Sequence, residues 1–306
     1  MPARLLVSFS GGETSGYMTK WILDELSYAF DEIAVVFANT GEEDEETLRF
    51  VHNCDRHFSF NTVWIEGVQF LGERRAAGHK VVTFETAARK GEPFEAAIRK
   101  YGIPNQKFKD CTRALKRKPI ESWAREAGWG TDHLIAIGIR ADEMDRISSD
   151  AEKRRIIYPF AKGFPRTKPQ VNSWWAKQPF RLNLKGYQGN CKWCWKKSDR
   201  KLLTIIGENP SYFDFPRRME KEYGKVGPEF RHDPATRHTP LSPDYQRKFF
   251  RGSRSTGDLF ALYEQKKGKF PLACDDHLIF DEELDVGSGC EESCEVYGED
   301  DSDVEE

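Results

Sequence analysis

Five short β-rich apolar runs, at residues 5–9, 33–38, 62–65, 81–84 and 134–139, alternate with segments of helical period. That alternation constrains the fold more than any other feature of the chain. After Ser15, the residues Tyr17, Met18, Trp21, Ile22 and Leu26 share one helix face, and residues 45–51 and 119–127 carry the same period. Pro119 falls at the start of the last of these, in a first helical turn where its missing N–H costs nothing. Strands alternating with helices predict a mostly parallel α/β sheet covered on both faces, with ligands beyond the carboxyl ends of the strands. Three polar stretches follow the most apolar strands there: "SGGETS" at 10–15, "NTGEEDEET" at 39–47 and "RADEMDR" at 140–146.

A chain of 306 residues can bury a sizeable core without disulfides. Its apolar runs fall well short of the ~18 residues a membrane helix needs, and its first residues lack the pattern of a secretory signal. A cytoplasmic protein with no membrane association is therefore expected. Seven scattered cysteines do not read as a secreted disulfide framework. From residue 281 onward there are 13 acidic and no basic side chains, so the preceding residues carry a net +10 within a whole-chain charge of −3. A basic body suits nucleotides or nucleic acid, and the acidic segment reads as disordered. Composition changes near Lys162 toward Pro, Gly, Trp and basic residues. This divides the chain into an α/β nucleotide-binding domain at 1–161, a basic module containing Trp and Cys at 162–280 and a tail at 281–306.

The loop after the first strand is the sharpest functional signal. Gly11 and Gly12 let backbone N–H groups approach an anion, and Ser10, Thr14 and Ser15 add hydroxyls where a helix begins and its dipole favours negative charge. Neither G-x-x-x-x-G-K-[ST] nor G-x-G-x-x-G is present. A plain strand-to-helix turn is the alternative reading. Among the cysteines, Cys191 and Cys194 have C-x-x-C spacing beside Lys196, Lys197 and Arg200, and Cys111 lies in an equally basic stretch. The spacing of the C-x-x-C pair lets its two thiolates reach one metal ion or cluster, with a structural zinc as the competing reading.

"SFSGGETS" resembles the pyrophosphate-binding loop of the PP-loop ATP pyrophosphatases. Further stretches narrow the likeness to the phosphoadenosine phosphosulfate (PAPS) reductase-like family, in a bacterial and phage branch. They are "VFANTGEEDEETLRFV" from Val36, "DCTRALKRKPIESW" from Asp110, "IGIRADEMDR" from Ile137, "YPF" from Tyr158 and "QGNCKWCWKKS" from Gln188. The resemblance implies a Rossmann-like adenine nucleotide α-hydrolase fold binding ATP or an adenylylated nucleotide. In it Ser8, Ser10, Gly11, Gly12, Glu13, Thr14 and Ser15 would hold phosphates, and Asn39, Thr40 and Gly41 would lie against the adenosine. It also implies that Arg140 and Arg146 face phosphate or sulfate, with Asp142 and Glu143 orienting Mg²⁺ or the arginines. Cys111, Cys191 and Cys194 align with the ligands of a 4Fe–4S cluster, and Cys274 is the candidate fourth. This chain departs from the family at three places: Glu13 replaces a common lysine, Thr14 a common aspartate, and Asp110 the first cysteine of a pair.

Three functions follow. The first is a sulfur-transferring enzyme that adenylates its substrate, releases pyrophosphate and uses the cluster, with DNA or tRNA as acceptor and a sulfur- or electron-donor protein as partner. There the tryptophans of 162–175 and 192–201 would offer nucleic-acid stacking surfaces, or else belong to the core. The second is an adenylylsulfate or PAPS reductase with Cys274 as nucleophile, from its C-x-x-H spacing with His277. The third is a non-catalytic nucleotide- or nucleic-acid-binding module with structural zinc.

Overall fold

Along β1 (Arg4–Ser8) the side chains alternate between two cores: Leu5 and Val7 face one, and Leu6 faces the other. A strand buried on both faces belongs in the middle of a sheet. The computed structural model, which describes residues 3–226 and 246–273, places it there. The chain proceeds through α1 (Glu13–Glu25), β2 (Glu32–Asn39), α2 (Glu45–Phe58), β3 (Val63–Val68), β4 (Gly78–Val82) and α3 (Glu92–Tyr101). One turn, α4 (Asp110–Thr112), runs through a π-helical turn at Arg113–Arg117 into α5 (Lys118–Glu126). Then come β5 (Leu134–Ile137), β6 (Ile156–Ile157), α6 (Lys168–Trp175), α7 (Asp199–Glu208), α8 (Asp214–Tyr223) and α9 (Thr256–Lys266).

The sheet order is β4-β3-β2-β1-β5-β6, parallel throughout except for the antiparallel β3–β4 edge pair. Helices cover both faces, so this is the doubly covered, Rossmann-like α/β sheet that the alternation predicts. On one face Met18 and Ile22 of α1, Phe50, Val51 and Cys54 of α2 and Trp175 of α6 pack on Leu5 and Val7; on the other, Ile120 and Ala124 of α5 pack on Leu6, Val36 and Ile65. A third core joins Phe94 and Ile98 of α3 to Trp193, Trp195 and the helices α7–α9. Residues on both sides of position 162 thus share cores: Phe160 and Trp175 pack with β1, and Phe94 packs with Trp193.

Three strands differ from their sequence reading, the first being β3, which continues past 65 to Val68. The 81–84 run forms β4 only as far as Val82, because Phe84 turns off the edge to pack on Trp64 and His52. The 134–139 run stops at Ile137, since a Cβ on Gly138 would lie 2.9 Å from Ser15 Cα. That close approach sets the start of α1 directly against the end of β5. No helix among the described residues is long and apolar enough to cross a membrane.

Asp44 shows how local chemistry joins these layers. It caps α2 by accepting from Glu46 N at 3.0 Å, and its other oxygen accepts from the Tyr212 hydroxyl at 2.6 Å. Removing a cap and a buried partner together should cost about 2 kcal/mol. Asp44→Ala is expected to unfold at correspondingly lower urea concentration, with an unchanged m-value.

Candidate functional site

The strand order reverses at β1: β2 lies on one side and β5, reached much later in the chain, on the other. In an open parallel sheet this switch point opens a crevice beyond the carboxyl ends. Ser8, the last residue of β1, pairs with Val36 and Ile137 and is buried. Gly11 follows with φ +81°, a conformation that favours glycine. A Cβ there would lie 2.7 Å from Thr47 Cγ2 and 3.1 Å from Phe37, so Gly11 is required by packing on β2 and α2. Gly12 differs. Its backbone is extended, and a Cβ would meet only Ser10 Oγ, at 3.7 Å.

Gly12 is the N-cap of α1, and no side-chain cap bond closes that end among the described residues. The first intrahelical bond runs from Gly16 N to Gly12 O, leaving the Thr14 and Ser15 N–H groups ahead of it. Ser10 and Ser15 hydroxyls meet at 2.8 Å, and Ser15 Oγ donates to Gly12 O at 3.0 Å, which holds the turn in shape. Glu13 projects outward into a two-pronged pair with Arg181, at 2.9 Å for each contact. Its carbonyl accepts from Trp175 Nε1 at 2.8 Å.

Across the switch point, the loop after β5 brings Arg140 to the same helix start. Arg140 is buried, and its Nη1 donates to Thr14 Oγ1 at 3.2 Å while Nε donates to Asp142 at 2.9 Å. Glu143 accepts from Arg140 N at 3.2 Å and pairs with both Arg140 and Arg146. Burial pushes the Asp142 carboxyl up, but the Lys168 N–H and the Arg140 guanidinium outweigh it and hold its pKa below the ordinary value. The four residues expected at this strand end therefore form one ion-pair network, with Arg140 at the phosphate loop and Arg146 on the far side of Glu143.

The loop after β2 is braced from within. Asn39 is fully buried and donates to Glu66 Oε1 at 2.6 Å and to Ala88 O at 2.9 Å, while its Oδ1 accepts from Gly41 N at 3.1 Å. Thr40 donates through both N and Oγ1 to Glu43 Oε2 at 2.8 Å. Gly41, at φ +83°, lies against Gly91 and Pro93.

The cysteine segment docks on both of these loops. Asn190 Nδ2 donates to Ser10 O at 2.5 Å, Asp44 N donates to Asn190 O at 2.8 Å, and Glu43 pairs with Cys191. Lys192 N donates to Glu42 O at 3.1 Å, and Trp193 Nε1 donates to Glu42 Oε2 at 2.6 Å. Burial raises the Glu42 pKa to about 7 against the pull of that bond. Cys191 and Cys194 are half-buried in a tight turn, and Cys111 packs against the core that contains Trp193. Arg251 lies within electrostatic range of Cys194.

Three thiols are a soft donor set, suited in chemistry to iron–sulfur or zinc. Among the described residues, however, no three His, Cys, Asp or Glu side chains form a group placed to hold a metal ion. Cys274 and His277, on which a fourth ligand and a reductase nucleophile depend, lie outside the described residues, as does the tail.

The tryptophans are a correction to the stacking-surface expectation. Trp175, Trp193 and Trp195 are buried core residues, and Trp174 stacks on Tyr17 at 4.3 Å. In a chain with this many aromatics they close the cores around the site instead of facing solvent. Sequence reasoning also missed Asn190, Arg181, Lys168 and Lys185, which with Gly12 and Glu13 line a cleft of about 150 Å³ at the start of α1. The one available signal was the polar "QGN" immediately before Cys191.

Fold and site together define an α/β protein whose glycine loop, helix start and basic cleft suit an anion at the sheet's switch point. A protein of Escherichia phage lambda, described as an uncharacterized nin region protein ORF290, is 28% identical over 298 residues, covering 96% of this chain and 95% of that one. The uncharacterized protein MJ0066 of Methanocaldococcus jannaschii is 30% identical over 152 residues, half of this chain but a quarter of its own length. A crystal structure of PAPS reductase from Candida auris, as a phosphate complex, aligns over 60% of this chain and 76% of that one at 16% identity, with a TM-score of 0.35. No family model matches the chain.

Proposed function

We propose that this chain is a PAPS reductase-like enzyme that binds ATP or a related adenylate through its phosphates at residues 10–15. One observation carries the reading. Arg140 from the end of β5 reaches Thr14 at the uncapped start of α1, so a buried cation and a helix N-terminus meet at the switch point. Backbone N–H groups, the helix dipole and a guanidinium would stabilise phosphate charge, including the charge that develops on a leaving pyrophosphate. Lys168, Arg181 and Lys185 add a basic approach. The test is pyrophosphate release from ATP by the full-length chain, assayed alone and with DNA, tRNA or sulfate as acceptor. Acceptor-dependent release supports the reading; absence of ATP binding in a direct titration removes it.

The finer reading keeps sulfur chemistry at Cys111, Cys191 and Cys194, since the 190–194 segment is tied by hydrogen bonds to the 10–15 loop and to the loop after β2. Protein purified without oxygen is expected to contain iron and acid-labile sulfide. Zinc alone would favour the non-catalytic module, and a fully active Cys274→Ser variant would eliminate the reductase alternative.

A further inference from the structure

Among the described residues, Asn190 presents an acceptor that no donor meets. The atom 2.5 Å from Ser10 O must be the amide nitrogen, because a carbonyl can only accept. The orientation of the side chain is thereby set, and Oδ1 turns away from Ser10. Asn190 is only 4% exposed, and its Oδ1 is shielded from solvent with no hydrogen-bond partner. The backbone on either side is pinned, by Asp44 N to Asn190 O at 2.8 Å and by the backbone bridge between Glu43 and Cys191. Glu43, also buried, carries a second oxygen without a partner, Oε1. Leaving such acceptors unsatisfied is costly, which makes each of them a candidate contact for a ligand.

Asn190 lines the cleft beside Gly12 and Glu13. The same cleft holds the cations Lys168, Arg181 and Lys185, with the Glu13 carboxylate paired to Arg181. An unpaired acceptor beside cations selects for something phosphate lacks, an O–H or N–H held close to the phosphate chain. In a nucleotide the ribose carries its hydroxyls nearest the phosphates, whereas the base amine lies farther off.

We infer that Asn190 is a specificity-determining residue that accepts a hydrogen bond from a ribose hydroxyl of the bound nucleotide, so that the cleft distinguishes a nucleotide from a bare polyphosphate. The inference rests on the nucleotide reading of the 10–15 loop and extends it to the sugar.

Isothermal titration of the full-length chain with ATP, 2′-deoxy-ATP, 3′-deoxy-ATP and tripolyphosphate tests it. One of the two deoxy analogues is expected to bind about tenfold or more weakly than ATP, since a buried acceptor left unpaired discriminates strongly. Asn190→Ala is expected to lower ATP affinity by a larger factor than tripolyphosphate affinity, and to erase the difference between ATP and that analogue. Equal affinity for ATP and both deoxy analogues would overturn the inference. So would discrimination that survives in Asn190→Ala, or a parallel loss of tripolyphosphate binding, which would mark Asn190 as only a brace for Ser10. The analogue series on the unaltered chain decides the matter even if the variant does not fold. Failure of ATP and tripolyphosphate alike to bind that chain would instead bring down the nucleotide reading itself.

Discussion

Gly12→Val is expected to abolish ATP binding in a protein that remains folded, whereas Gly11→Ala is expected to damage the fold itself. The adjacent glycines have different work. Gly12 has φ −100° and ψ 161°, which any residue adopts, and a Cβ there finds only Ser10 Oγ, at 3.7 Å. A branched side chain at that N-cap would stand among the first N–H groups of α1, where the phosphates are proposed to sit. The stability cost should not exceed about 1 kcal/mol. Gly11 has φ +81°, and its Cβ would overlap Thr47 Cγ2 at 2.7 Å. Left-handed strain and overpacking together should cost about 3 kcal/mol. Titration with ATP and thermal unfolding of both variants separate the two effects. A Gly12→Val protein that binds ATP as tightly as the parent would refute the loop assignment.

The second large effect concerns Glu42. Its pKa is raised from 4.5 to about 7, chiefly by burial, although it accepts from Trp193 Nε1 at 2.6 Å. An acid whose folded pKa lies above its unfolded value binds more protons when native, so stability falls as pH rises between the two values. The native state is favoured most below about pH 4.5, weakens toward pH 7 and levels off above it, a span of roughly 3 kcal/mol from this group alone. Glu42→Gln keeps an acceptor for Trp193 and has no charge to desolvate. It should therefore match the parent near pH 4.5 and be more stable by up to roughly 3 kcal/mol at pH 8. Urea unfolding at both pH values checks this, and identical pH slopes in the two proteins would contradict it.

Much of the scaffold was readable from residue order. The apolar run at 5–9, the two glycines and the apolar face from Met18 to Ile22 specify a strand, turn and helix through local rules, and each stands within a residue of where those rules put it. The two-residue β6 is too short to show any alternation. The site was legible only in part. Its three strand-end loops follow from topology, but their cross-links join residues far apart in sequence: Glu42 with Trp193, Glu13 with Arg181, Ser10 with Asn190. An asparagine or an arginine carries no local sign of such a partner. The tryptophans illustrate the same limit, since composition fits a stacking surface and a core equally well. The burial of Trp175 and Trp193 is decided by α1, α3 and α8 together.

The bond from Asn190 to the carbonyl of Ser10 closes 180 residues of chain. During synthesis the loop leaves the ribosome 180 residues ahead of the wall that finishes it. A nascent chain therefore carries the 10–15 turn without the segment that closes it, and a cut between the two should yield a fragment with an open-sided loop.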